Sequence, residues 1–409
     1  MNIKQQILVD KYIAKPVAYF LNFIVRLLGK LLHINHSLDK EFKTIVIAKF
    51  KGMGSIIQAT PMINAIKNKY PNAEIIFVST KANETMLKKI TWIDTVVCID
   101  DSSLIKFLSS NITSLLFLIK KRPEVYFDLE IYSDYSTLFT LFTLSTNRVG
   151  FYLRSSSFRM GIYTHMMFFN PRVPISNVYL QLSMLLGCAT KNTTLYPLIN
   201  DLNSFAFSKK DYIVINPNAS DLRIERRWPK DKFVQLIQLI LNEYPSKLIF
   251  IIGSKSEKEY SEEITSSINN SRVYNTSGTT TIDGLIEIIK NAELMITNDT
   301  GPMHLAFCTE TPLICLFGPC SPDQYGVSKN AHIIYKPVYC SPCVHDFEIA
   351  PCKGNNVCMQ LISVNEVFDK VQFLLQNPQE QNHPPIAIGA NGLNFIYSNN
   401  EDVLGKVIR

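Results

Sequence analysis

Glycine and charge are both thin in this chain: 16 glycines and 19% charged residues in 409 positions. The glycine-bearing loop "KGMGS" (51–55) lacks the full G-x-G-x-x-G fingerprint, and no acidic residue ends the strand that follows, "EIIFVST" (74–80). Those two absences argue against a dinucleotide-dependent enzyme. No basic stripe interleaved with aromatics occurs, and the formal charge is only +6. That argues against a dedicated nucleic-acid binder and suggests anionic substrates or an anionic membrane surface as the expected partners. No small-residue cleavage site follows the first apolar stretch, so a cytoplasmic location without disulfides is expected. The longest uncharged run near the start, Pro16–Val25, is far shorter than the roughly 20 residues a membrane span needs.

What is present begins with "KYIAKPVAYFLNFIVRLLGKLLHI" (11–34), rich in large apolar residues but interrupted by Lys15, Arg26 and Lys30. Two readings stand: an amphipathic helix lying in the membrane interface, or a helix packed on the domain that follows. From residue 44 the pattern alternates between strand and helix. "TIVIAKF" (44–50), the glycine loop, "IIQATPMINAIKNKY" (56–70) and "EIIFVST" make a βαβ unit. Further strands are expected at "TVVCI" (95–99) and "VYFDLEI" (125–131). A second series runs through "DYIVINP" (211–217), "KLIFIIGS" (247–254), "VYNTSG" (273–278), "ELMITND" (293–299) and "TPLICLFGP" (311–319), with helices at 231–244, 255–268 and 281–291. Two α/β series imply two doubly wound, Rossmann-like domains. We expect a helical segment at 1–40, one domain at 41–205, a second at 206–375 and a tail at 376–409, with the linker in the polar stretch 189–210.

In "MITNDTGPMHLAF" (295–307) an apolar strand ends at Asp299 and a helix can start at Thr300 or Gly301. Pro302 suits a first helical turn, where its missing N–H costs nothing. The free amides there, the Thr300 hydroxyl and the close approach that Gly301 permits make an anion seat, with His304 one turn further in. A plain capped helix with a buried histidine is the alternative.

"NDTGPMHLAFCTETPLICLFGP" (298–319) resembles the most characteristic segment of the heptosyltransferases, glycosyltransferase family 9. "IVIAKFKGMGSIIQATPMINAIKNKYPNAEI" (45–75) is similar to that family's opening unit, and "INPNASDLRIERRWPKDKF" (215–233) to its strand and Trp-Pro helix start. "CSPCVHDFEIAPCKGNNVCMQLISVNEV" (340–367) resembles its cysteine-bearing C-terminal segment. The resemblance covers roughly residues 42–372 and implies a GT-B architecture, two Rossmann-like domains facing a cleft, donor in the second and acceptor in the first. It implies an inverting transfer of a sugar, heptose from ADP-heptose, onto a lipopolysaccharide core or a related lipid-linked glycan. The enzyme would sit at the inner face of the cytoplasmic membrane and need no cofactor for catalysis. Consistently, no Asp-x-Asp pair of the kind that holds a metal for nucleotide sugars is seen. Asn218, Ser220, Asp299, Thr300, Gly301, Pro302 and His304 would contact the donor. Arg226, two residues before Trp228, falls where relatives often carry a Lys near the diphosphate, and it would neutralise the leaving group.

One departure matters. The family's general base is an Asp after Gly, whereas this chain reads Gly54-Ser55 in its acceptor-side loop with Lys51. Asp128 and Glu130, two apart at the end of one strand, become candidates for the missing base, because alternate strand positions share a face. Capping or loop orientation is the competing role for both. A non-catalytic binding scaffold is the rival reading that Ser55 keeps open. Of nine cysteines, five crowd into the 39 positions from Cys320 to Cys358. The spacing of Cys340, Cys343, Cys352 and Cys358 could suit a structural zinc, with His345 a substitute ligand, or could mark buried free thiols.

Overall fold

The computed structural model describes residues 8, 10–153, 159–189, 195, 211–219, 221–347, 350 and 352–377. The expected linker and the tail fall largely outside these. The chain divides into two compact units, one reaching Pro171 and resuming at Ile175, the other built on the second α/β series.

Each unit is built on a six-stranded sheet. The first has the order β3-β2-β1-β4-β5-β6, from Thr44–Ala48 (β1), Glu74–Thr80 (β2), Thr95–Ile99 (β3), Val125–Asp128 (β4), Asn147–Tyr152 (β5) and His165–Phe168 (β6). The second repeats that winding as β9-β8-β7-β10-β11-β12. Its strands are Tyr212–Asn216 (β7), Leu248–Ile251 (β8), Val273–Asn275 (β9), Leu294–Asn298 (β10), Leu313–Phe317 (β11) and Ala331–Tyr335 (β12). All pairings are parallel, for example Ile45 with both Ile75 and Val125. Central strands such as "TIVIA" and "LMITN" are buried at every position, as a sheet covered on both faces demands. Three strands lay outside the sequence reading: β5, β6 and β12, each next to an edge or at one.

The winding order decides where chemistry can sit. In the first sheet the chain steps from β1 toward β2 and later crosses to β4 on the other side. In the second it does the same between β7 and β10. The carboxyl ends of these neighbouring strands flank a crevice in doubly wound sheets. Right-handed crossovers also place the helices Leu104–Lys121 and Asp134–Phe142 on one face of the first sheet, and Thr60–Lys69 on the other.

The helix Lys15–Leu32 packs on the first unit. Its Ala14–Ala18–Asn22 stripe is buried, with Ala18 against Ile162, Leu138 and Leu141. Asp10 accepts the amides of Asp134 (3.1 Å) and Tyr135 (2.6 Å), and Arg26 Nε donates to the Met160 carbonyl at 3.0 Å. Phe20, Phe23, Leu27 and Leu31, on the opposite side, remain exposed. Among the described residues no helix is long and apolar enough to cross a membrane.

Candidate active site

At the second sheet's switch point, buried asparagines stitch the strand ends together. Asn298, the last residue of β10, donates through Nδ2 to the carbonyls of Pro217 (2.9 Å) and Asn218 (3.1 Å). Its Oδ1 accepts the Trp228 amide at 3.1 Å. Asn216, the last residue of β7, donates to the hydroxyls of Thr300 (2.7 Å) and Thr297 (3.0 Å). Thr300 caps the short helix Gly301–Phe307 without a side-chain cap bond, and Pro302 lies in the first turn. Thr300, Gly301 and Pro302 are therefore held half-exposed at the crevice by the β7 and β10 ends.

Arg226 is aimed at this point by its neighbour. Trp228 is wholly buried, edge-on to Phe233 at 4.9 Å, and its Nε1 donates to the Ile362 carbonyl at 3.1 Å. With that anchor two residues on, Arg226 Nη1 donates to the Asp299 carbonyl (3.3 Å), and Nε lies 3.6 Å from Asp299 Oδ2. Burial works against the guanidinium charge, but the adjoining Cys320 and Asp299 groups more than offset it, and its pKa rises. The two flanking arginines are placed elsewhere: Arg223 donates to the Val344 and Phe347 carbonyls, and Arg227 stacks on Tyr260 at 4.4 Å. Arg226 is thus the arginine of the three that faces Asp299.

Arg226 Nε and Asp299 Oδ2 are buried facing each other at 3.6 Å, beyond hydrogen-bond reach, and among the described residues Asn218 Oδ1 is buried without a hydrogen-bond partner. Buried polar atoms are normally hydrogen-bonded, so a loosely held ion pair and an unpaired amide oxygen at a strand-end crevice point to a polar ligand. Asn218 is fixed by donating to the Ile252 carbonyl (2.8 Å) and the Ser261 hydroxyl (3.3 Å). A Cβ at Gly253 would meet Asn218 Nδ2 at 2.5 Å, so only glycine admits this packing. Ser220 lies outside the described residues.

The first sheet's switch point carries a second polar group. Lys49, directly after β1, pairs with Glu130 at 2.6 Å, and both are buried. The other Glu130 oxygen accepts the amides of Phe50 (2.8 Å) and Lys51 (2.9 Å). Burial pushes the Glu130 carboxyl up, but the Lys49 charge and these hydrogen bonds outweigh it and lower its pKa. Lys51 stands exposed at the loop, Gly52 takes φ 88°, and the half-buried Ser55 hydrogen-bonds to the buried Tyr179 phenol. Gly54 is buried beneath them.

Comparisons with known proteins decide what kind of molecule this is. The family model described as glycosyltransferase family 9 (heptosyltransferase) matches residues 173–353. The lipooligosaccharide heptosyltransferase 2 of Campylobacter jejuni subsp. jejuni serotype O:2 is 24% identical over 331 residues, covering 80% of this chain and 96% of its own length. The chain is a glycosyltransferase, similar over residues 173–353 to family 9, the heptosyltransferases. Two solved structures share its fold. The family 9 glycosyl transferase from Veillonella parvula DSM 2008 superposes with TM-score 0.67 at 18% identity, over 84% of this chain and 100% of its own. The E. coli ADP-heptose lps heptosyltransferase II gives 0.64 at 19%, over 82% and 99%. The two six-stranded sheets are those of a GT-B enzyme.

Two expectations for this glycosyltransferase need correction. Asp128 and Glu130 do not share an exposed face. The strand stops at Asp128, which has no accessible surface and accepts from the Ser136 hydroxyl (2.8 Å), the Tyr163 phenol and the Glu130 amide (2.9 Å). Burial raises its pKa. A carboxylate so enclosed presents no surface to an acceptor hydroxyl, while Glu130 has both oxygens committed to Lys49 and the Phe50 and Lys51 amides. The zinc expectation finds no support in the geometry. Among the described residues no group of three or more His, Cys, Asp or Glu is arranged to hold a metal. Cys343 and Cys358 are buried and Cys340 and Cys352 half-buried, all as free thiols. Burial, with the neighbouring Cys340, Cys358 and Cys352 thiols adding to it, pushes the Cys343 thiol up to about 11. His345 is engaged with the Tyr325 hydroxyl at 2.8 Å.

Cys320 was missed as a site residue. It is buried just after the β11 "FGP" turn, beside Arg226 and hydrogen-bonded to Asp299. A single cysteine after an apolar strand carries no signal that separates it from a packing residue.

His304 is buried one turn into the helix. Burial lowers its pKa to about 4, the Asp299 carboxylate resisting that shift and Arg226 adding to it. The unfolded chain takes up the proton near the ordinary 6.5, before the fold can, so stability falls as pH drops from there toward 4. Across that window the wild type should lose about 3 kcal/mol relative to His304→Gln, judged from the value of a pKa unit. Urea unfolding of both proteins at a series of pH values checks this; parallel curves would show that His304 titrates normally.

Proposed function

We propose that this glycosyltransferase transfers heptose from ADP-heptose to a lipopolysaccharide core or a related surface glycan, with inversion at the anomeric carbon, at the inner face of the cytoplasmic membrane. The observation that carries the donor side is the buried Arg226–Asp299 pair, 3.6 Å apart, with the unpaired Asn218 Oδ1, at the β7/β10 crevice. The sugar and acceptor classes are supported by the names of the full-length relatives. Arg226 and the amides following Thr300 receive the diphosphate, and the guanidinium offsets the charge that grows as the nucleotide departs. Asp299 holds Arg226 in place and, with His304 behind it, shapes the seat. The acceptor hydroxyl meets the loop of Lys51, Gly54 and Ser55, whose backbone Glu130 fixes from beneath. The helix Lys15–Leu32 brings the first unit to the lipid surface through its exposed apolar side, aided by Lys15, Arg26 and Lys30.

Calorimetric titration of ADP-heptose tests the donor site. Asp299→Ala should weaken binding by about tenfold or more, the size expected when a charged hydrogen-bonding group is lost. The variant should remain folded, with a cooperative thermal transition. Equal affinity in the wild type and the variant would remove Asp299 from the donor site.

A further inference from the structure

We infer that the helix Leu104–Lys121 carries a second lipid-binding ridge, so that the first unit meets an anionic bilayer through two helices rather than one. The inference rests on the membrane-surface reading given above and extends it to a part of the chain which that reading does not use.

The helix runs "LIKFLSSNITSLLFLIKK", and its inner side is fixed by buried Ser114 and Leu118 and by Phe107, whose ring meets Tyr135 at 5.3 Å. On a helix of 3.6 residues per turn, Ile105, Leu108, Ile112 and Leu116 fall on the opposite side. All four are exposed, Ile105 by 80% and Leu116 by 62%. The same geometry governs Lys15–Leu32, where Phe20, Phe23, Leu27 and Leu31 lie opposite its own buried stripe, Phe23 at 69% exposure.

Both ridges are on one side of the molecule's first unit. The crossovers put Leu104–Lys121 and Asp134–Phe142 on the same sheet face, and Lys15–Leu32 packs onto Leu138 and Leu141 of the latter. Tyr135 joins the two: its amide donates to Asp10 at the head of one helix, and its hydroxyl to Asn111 Oδ1 of the other at 2.7 Å. Soluble proteins seldom leave apolar patches of this extent uncovered.

Charge selects the occupant. Neither helix contains an Asp or Glu, while Lys106 and Lys120 flank one ridge and Lys30 the other, all exposed. An apolar strip on a helix whose own charged residues are all cationic matches anionic lipid, whose headgroups attract the exposed lysines while the acyl boundary takes the apolar side chains. Two apolar strips on one unit add to the buried apolar area on which the strength of interfacial binding depends.

The test is co-flotation of the full chain with phosphatidylcholine vesicles, with or without phosphatidylglycerol, alongside sedimentation to read self-association. Wild type should bind the anionic vesicles, more weakly as salt rises. Ile112→Glu with Leu116→Glu should weaken that binding by about tenfold or more, since two large apolar side chains leave the interface and two anions enter it. Lys106→Glu with Lys120→Glu, which leaves the ridge apolar, should weaken binding to anionic vesicles and spare any binding to neutral ones. This charge pair keeps the test open if the first variant misfolds. If Phe20→Glu with Phe23→Glu abolishes binding but both Leu104–Lys121 variants bind as wild type, the second ridge is refuted while the first helix keeps its role. If the wild type ignores vesicles of either kind, both readings fail. If it self-associates and the ridge variant turns monomeric without any lipid effect, a second copy covers the ridge and the inference is overturned.

Discussion

Arg226→Ala should reduce turnover by about a hundredfold or more, the loss typical when a preorganised charge at a developing anion is removed. Donor affinity should fall less, because the guanidinium interacts most strongly once the diphosphate carries its full charge. The structure adds a reason for the size of the effect. Arg226 cannot be replaced from nearby, since Arg223 is tied to the Val344 and Phe347 carbonyls and Arg227 to the Ala219 carbonyl at 3.0 Å. Arg226→Lys should recover only part of the loss, as an ammonium lacks the planar fork that grips two phosphate oxygens at once. Rates at saturating ADP-heptose, compared with calorimetric affinities, separate the two effects. Wild-type turnover in Arg226→Ala would reduce this residue to a structural cation.

Glu130→Gln should be costly in a different way. Losing the carboxylate leaves the buried Lys49 ammonium without its counter-charge, and breaking one side of a buried pair costs roughly 3–5 kcal/mol. Urea unfolding reads that loss. The sign with pH follows from the lowered Glu130 pKa: its contribution is present above the unfolded carboxyl's ordinary 4.5 and is lost as pH falls through the lower native value. The variant's deficit relative to wild type should therefore shrink in acid. Donor affinity should be unchanged, because the donor-side residues belong to the other unit, while the Michaelis constant for the acceptor should rise as the Phe50–Lys51 amides lose their anchor. Glu130→Asp, which keeps the charge, should restore stability in part. A shift in donor affinity alone would contradict this division of labour.

Much of this was legible in the chain because local rules and fold agree there. The β-branched runs at 44–48 and 294–298 are buried strands as read, and the strand-to-helix junction at Asp299–Gly301 sits at the crevice that doubly wound sheets reserve for ligands. Where the reading failed, a tertiary contact overruled a local pattern. "VYFDLEI" reads as one strand, yet the chain leaves the sheet after Asp128 so that Glu130 can take the Phe50 and Lys51 amides. The alternation rule behind a shared face lapses where the strand ends. Cysteine spacing brought four thiols close enough to interact, but spacing carries no information on whether their geometry suits a metal. The ridge on Leu104–Lys121 is the reverse case: its apolar residues recur at three- and four-residue intervals, so the signal was present, but periodicity alone cannot tell a face that is buried from one left bare.

The central claim is tested most directly by incubating the protein with ADP-heptose and a heptose-accepting lipopolysaccharide core, measuring ADP release, and reading the new linkage by NMR. The account predicts ADP formation that depends on the acceptor, a product whose anomeric configuration is opposite to that of the donor, and loss of both in Arg226→Ala. Retention of configuration, or acceptor-dependent ADP release that persists undiminished in Arg226→Ala, would contradict it.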